Sequence, residues 1–470
     1  MGTGALPVDR LRQYLRELPP GARVLLITEL ERALLRGEDI PGGDMVLHEV
    51  RTAVREAGQR VPRIGNPARL FFRPVEPFLT DSVASRRLEG RIARSALEPV
   101  WAWISRDLMA GDAAVYGDGL NRALAANDSD TANSLVHGFQ EKAAAGIEAA
   151  LDVVCADEKA RRRLIGQIGT SHALDDVRTI AMVLASRDPL MLIEDRLPGH
   201  IRNFTDGQID TAKALLDSPL MAKHGLLHCG LILVMRRLAS PWQLIRLAVK
   251  AAESDEASRM ANTPYAAAVT ITLGEIERMV DDLKADLERG VTVSVAVPLK
   301  GIHDAARGLR TELDLSGDSP WARRLAAIRS EVSRTLKTTI ESVPGRVRRL
   351  LRPRPSNEIT RGAALDAAEV AETEATIEFV GACRNYASEL AINEITLRIY
   401  QEMQQYLDTG TQSLLDALRF AGDNDRAFRK SQVDAAVRFC AKVFGRDYAS
   451  LLTKAAEMAA CADRKTAAKV

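Results

Sequence analysis

Aromatic residues are scarce, 4% of 470 positions, and the chain has no long apolar run. An interior so short of rings must be built from Ala, Leu, Val and Ile, and where alanine is abundant such a core favours helices over sheets. The most apolar stretch, Leu226 to Met235, is about half the length of a membrane-spanning helix, so no transmembrane segment is expected. An excess of one charge is also missing. Charged residues make up 27% of the chain with a net charge of +1, which excludes a global attraction to nucleic acid or anionic membrane.

The five cysteines, Cys155, Cys229, Cys383, Cys440 and Cys461, are odd in number and far apart, which excludes a disulfide framework and a paired-cysteine metal site. They read as small apolar residues in a reducing compartment. No glycine-rich phosphate loop and no Gly-x-Ser-x-Gly turn is present, so neither nucleotide chemistry nor a serine nucleophile is announced. Met1 to Leu6 lacks the charged stretch and apolar core of a secretory signal, and Leu6 stands where an acylation motif needs Ser or Thr; a cytoplasmic protein is expected. Arginine well above lysine, with abundant alanine, is the composition expected of a GC-rich bacterial genome.

What is present is one repeated signal. From Val8 to about Met458, apolar residues recur three and four apart, interrupted by Gly, Pro and Asp or Asn. This periodicity predicts an all-α protein, a multi-helix bundle or an irregular superhelix of helical hairpins, with at most one minor β element. The β candidate is Val291, Val293, Val295 and Val297, alternating with small and polar residues before Pro298, and it serves equally well as an extended connector. Punctuation divides the chain into N-terminal hairpins (1–60), a Pro- and aromatic-rich connector (61–84), a central helical region (85–255), a second helical region (256–343), an Arg- and Pro-rich linker (344–361) and a C-terminal helical subdomain (362–470).

Three groups of residues are candidates for chemistry or binding. In the connector, Leu70, Phe71, Phe72 and Phe78 lie among prolines that forbid a long helix; such apolar irregular chain is either covered by the next bundle or docks a partner. In the linker, Arg346, Arg348, Arg349, Arg352 and Arg354 concentrate guanidiniums suited to phosphate, an anion site for nucleic acid or anionic lipid, although the acidic helix that follows can neutralise them. Finally, His224 and His228 stand four apart, on one helical face as in helix-borne metal sites, with Cys229 beside them.

His303 and Asp304 form a His-Asp doublet in a helical run. The doublet resembles the central signature of the HD phosphohydrolases, an all-helical family. That resemblance implies a metal held by these two residues, an upstream histidine and a downstream aspartate, activating water against a phosphate ester. Beyond it, the residues supply no preorganised acid, base and electrophile, and helical hairpins offer grooves for a partner helix or peptide. The expected function is therefore a non-enzymatic scaffold, adaptor or regulatory protein that needs no cofactor and binds an unidentified protein partner. A metal-dependent hydrolase and an anion-surface binder are the alternatives.

Overall fold

The structure, a computed structural model, describes residues 11, 14–15, 18–35, 40–56, 66–81, 90–170, 172–223, 225–289, 296–315 and 319–461. It is an all-α, multi-helix fold in which a two-residue parallel pair, β1 (Leu79–Thr80) and β2 (Ile92–Ala93), is the only sheet among the described residues. The chain separates into two compact units, Met1–Arg196 with Ala214–Leu233, and Leu197–Lys213 with Val234–Val470.

The first unit opens with α1 (Pro20–Leu35) and α2 (Gly43–Glu56), which enclose a small core of Leu15, Ile27, Leu47, Val50 and Val54. A short α3 (Pro67–Phe71) and a 3₁₀ turn (Arg73–Phe78) lead into β1. After β2 come α4 (Leu97–Trp103), α5 (Ala110–Ala125), α6 (Ser129–Ala156), α7 (Glu158–Ile168), α8 (Ala173–Ala185) and α9 (Arg187–Arg196). The long α6 packs against α5 and α8. Its start is fixed by Asp128, whose carboxylate accepts from the Thr131 amide at 3.0 Å, and Gly169 ends α7 in the left-handed conformation. α4 begins only at Leu97, after a short 3₁₀ turn over Arg94–Ala96. Pro99 sits in its first turn, where a missing N–H does no harm, and the irregularity comes later, in a π turn over Ile104–Leu108.

The chain continues through α10 (Asp206–Leu216), α11 (Pro219–Lys223) and α12 (Leu227–Arg237). The apolar run from Leu226 lies in α12, and no helix among the described residues is long and apolar enough to cross a membrane. Gly230 allows α12 its close packing: a Cβ there would come within 2.3 Å of a Leu216 methyl.

The remaining helices are α13 (Leu244–Ala252), α14 (Ala257–Met260), α15 (Ala266–Glu288), α16 (Ala296–Glu312), α17 (Pro320–Leu351), α18 (Ala367–Asn385), α19 (Asn393–Arg419), α20 (Arg426–Val443) and α21 (Arg446–Cys461). Gly308 of α16 lies directly under the Trp242 indole, so close that a Cβ would come within 2.2 Å of the ring. Of the alternating valines, Val291, Val293 and Val295 lie outside the described residues, while Val297 is exposed in the first turn of α16.

The boundary expected at Pro344 falls inside α17, a helix of 32 residues. Proline there removes one N–H, yet Val343, Pro344 and Val347 are all buried, and their packing carries the helix across the missing bond to its end before Pro353. The rest of the expected linker is held by side chains from α20. Arg429 donates to the Arg354 carbonyl, and Gln432 Nε2 donates to the Leu350 and Arg352 carbonyls at 3.1 and 3.0 Å. Asp425, which precedes α20, accepts from the Ser356 hydroxyl at 2.9 Å and pairs with Arg429 at 3.5 Å. Burial pushes the Asp425 carboxyl upward, but the hydrogen bonds and the guanidinium outweigh it and hold the group below the usual carboxylate range.

Candidate functional site

The described part of the Pro- and aromatic-rich connector, residues 66–81, is a core in which Phe71, Phe72 and Phe78 are buried, the covered alternative of the two the sequence leaves open, while Leu70 stays at its edge. Asn66 caps α3 by accepting from the Arg69 amide at 2.7 Å, Pro67 opens it, and Pro74 and Pro77 then force the tighter 3₁₀ turn. This alternation of short turns aims Phe71, Phe72, Val75 and Phe78 inward, all buried. The Phe71 ring lies 4.9 Å from Phe72 and 5.4 Å from both Trp101 and Phe139, and Tyr116 stacks on Phe139 at 4.4 Å. Such edge and offset contacts add roughly 0.5–1.5 kcal/mol each beyond the area they bury. The Tyr116 hydroxyl donates to the Pro67 carbonyl at 2.9 Å, and burial pushes its phenol well above the ordinary range.

Beside this core lies a cleft of about 400 Å³. Leu70, the half-buried member of the expected docking set, forms one wall together with Arg73, Pro74, Pro77 and the edge of Phe78. A second wall is one face of α6, carrying Asn133, Val136 and Gln140. The third is one face of α9, with Arg187, Leu190, Met191 and Glu194 spaced three and four apart, and Leu233 of α12 completes the lining. Met191 is 41% exposed and borders the cavity with its apolar side chain.

Three polar groups set the character of the cleft. Gln140 is buried; its Nε2 donates to the Phe71 carbonyl at 2.8 Å, but its Oε1 accepts no hydrogen bond. A buried acceptor left unsatisfied costs about 1–3 kcal/mol. Arg73 and Arg187 make no ion pair among the described residues, whereas Glu194 is already engaged. The lining thus combines apolar walls, one unsatisfied acceptor and two uncommitted guanidiniums.

The other candidate residues are placed as follows. His224 lies outside the described residues. His228 is half-buried on α12 and engaged, and Cys229 beside it is fully buried, with its thiol pushed up to about 12 by desolvation. His303 Nδ1 lies 3.1 Å from Asp304 Oδ1, and the imidazole packs 5.2 Å from the Tyr386 ring. The other Asp304 oxygen accepts from Lys300. Burial raises the Asp304 carboxyl, while Lys300 and His303 lower it by more, leaving it below its ordinary value. Lys300 thus holds one of the two Asp304 oxygens, and among the described residues no three His, Cys, Asp or Glu side chains come together as ligands.

The arginine-rich segment is distributed over acidic partners. Arg346 pairs with Glu372, Arg349 with Glu369 and Arg348 with Glu402, while Arg354 lies 5.2 Å over the Phe428 ring and Arg352 is exposed. Cys155 and Cys461 are the exposed thiols, and Cys155 has the Arg178 guanidinium 3.9 Å from its sulfur. Cys383 and Cys440 are buried like Cys229.

Gln140, Arg73 and Arg187 carry no signal in the sequence. A single glutamine in a helix reads as a surface residue, and only the approach of the Phe71 carbonyl makes it an interior one. Comparison with family models, curated proteins and solved structures finds no match.

Proposed function

We propose that the protein is a non-enzymatic helical scaffold or adaptor that acts through protein–protein interaction, with the cleft of the first unit as the seat of its partner. The supporting observation is the cleft itself: apolar walls, an exposed Met191 and an unsatisfied Gln140 acceptor, beside a buried aromatic core. Binding sites of this kind are concave, mostly apolar and oriented by a few polar groups. The engagement of Asp304 by Lys300 and of the linker arginines by glutamates gives the hydrolase and anion-surface readings no comparable support.

The test is recovery of the tagged protein from its native cell, comparing Met191→Glu with a control, Met458→Glu, placed on an exposed residue of α21. A stoichiometric partner retained by the wild type and the control but lost from Met191→Glu is the expected result. A partner held equally by all three proteins overturns the cleft as its seat, and stoichiometric metal lost on replacing His303 establishes a hydrolase instead.

A further inference from the structure

The polar groups of the cleft restrict what fits it. The unsatisfied Oε1 of Gln140 calls for an N–H or O–H donor, and the uncommitted Arg73 and Arg187 call for an anion. Two guanidiniums in one cleft match the two oxygens of one carboxylate, and Glu194 on the same lining disfavours a polyanion. The remaining walls, Leu70, Val136, Leu190, Met191 and Leu233 among them, accept an apolar group, in a volume of about 400 Å³.

From this combination we infer that the cleft takes the free C-terminus of a partner protein whose last residue is apolar, an inference that rests on the protein-interaction reading above. A terminal residue carries all three features on one Cα: a carboxylate for the guanidiniums, a backbone N–H for Gln140 and an apolar side chain for the walls. An internal segment can supply a carboxylate only through an Asp or Glu side chain, and that residue then has no apolar side chain for the walls. A fatty acid supplies the carboxylate and the apolar body but no donor for the buried acceptor. Capture of a terminal carboxylate is a recurring mode of peptide recognition, done here by side chains rather than a backbone nest.

The test uses the full chain and a fluorescein-labelled peptide of alternating Gly and Ser ending in leucine, prepared with a free and with an amidated C-terminus and titrated by fluorescence anisotropy. The free acid is expected to bind, and amidation or the paired change Arg73→Gln with Arg187→Gln is expected to weaken it at least about tenfold, the weight of one charge-assisted contact. Neither arginine makes an ion pair among the described residues, so their replacement is expected to leave the fold intact, which circular dichroism verifies. Equal binding of acid and amide overturns the inference, as does displacement of the peptide by decanoate at equal concentration, which assigns the cleft to fatty acids. If the free acid does not bind while a partner is still lost from Met191→Glu, the C-terminus inference fails and the adaptor reading stands. If the partner survives Met191→Glu, the adaptor reading fails.

Discussion

Cations in the C-terminal helices and cations at the cleft of the first unit are treated in opposite ways. Along α17 to α20, Arg346, Arg348, Arg349, Arg398, Arg438 and Lys442 each meet a glutamate from another helix, and Gln432 and Arg429 take up the backbone carbonyls of the intervening segment. At the cleft, among the described residues, Arg73 and Arg187 meet none, and Gln140 uses only one end of its amide. Both regions are helical and both rest on firm cores. The difference teaches that density of charge in sequence is a poor guide to binding: the conspicuous arginine cluster is consumed by structure, and two scattered arginines are left over.

The largest expected effect removes the centre of the aromatic core beside the cleft. Phe71→Ala should cost about 3–5 kcal/mol, the usual range for a large-to-small change at a fully buried ring, and should abolish partner binding together with the fold of the first unit. Urea unfolding followed by near-ultraviolet dichroism measures it; a loss below about 1 kcal/mol would mean that the aromatic cluster is not the packed core described.

On the other side of the comparison, Asp425→Asn breaks a buried pair and leaves Arg429 uncompensated, at a cost of about 3 kcal/mol near neutral pH. The sign with pH follows from its lowered carboxyl. A folded-state value below the unfolded one contributes stability that is complete above the unfolded value and is lost as pH falls through the folded value. The gap between wild type and Asp425→Asn should therefore close in acid, and a gap of constant size from neutral to strongly acidic pH contradicts the assignment.

The smallest effect sharpens the contrast. Replacing Arg346, Arg348 or Arg349 by Gln should cost roughly 0.2–1 kcal/mol each, less in high salt, because these pairs are largely exposed. Urea midpoints at two ionic strengths read this out, and a large, salt-independent loss would move these pairs into the class of the buried Asp425–Arg429 pair.

Helical periodicity made the fold class legible because amphipathic spacing survives single-residue errors at helix ends. The spacing of Ile399, Met403 and Leu407 makes the buried face of α19, and Asp128 and Gly169 cap where turn chemistry places them. Ser431 lies inside α20, where its hydroxyl accepts from the Leu365 amide at 3.0 Å. At Pro344 and Phe71 the local rules are incomplete for the same physical reason. Local rules describe what a residue does to its own backbone, and in both places burial against distant elements decides the outcome. The cleft was half legible. Leu70 and its prolines marked the place, but Gln140, Arg73 and Arg187 acquire their meaning only from partners that are present or absent in three dimensions.

The disposition of the thiols has a practical consequence. Three of the five are sealed in cores, and of the two that remain, Cys155 belongs to the first unit and Cys461 to the second. The native chain thus offers one labelling point in each unit. A donor and an acceptor dye attached there, with no residue altered, make the separation of the two units a measurable distance with and without a bound partner.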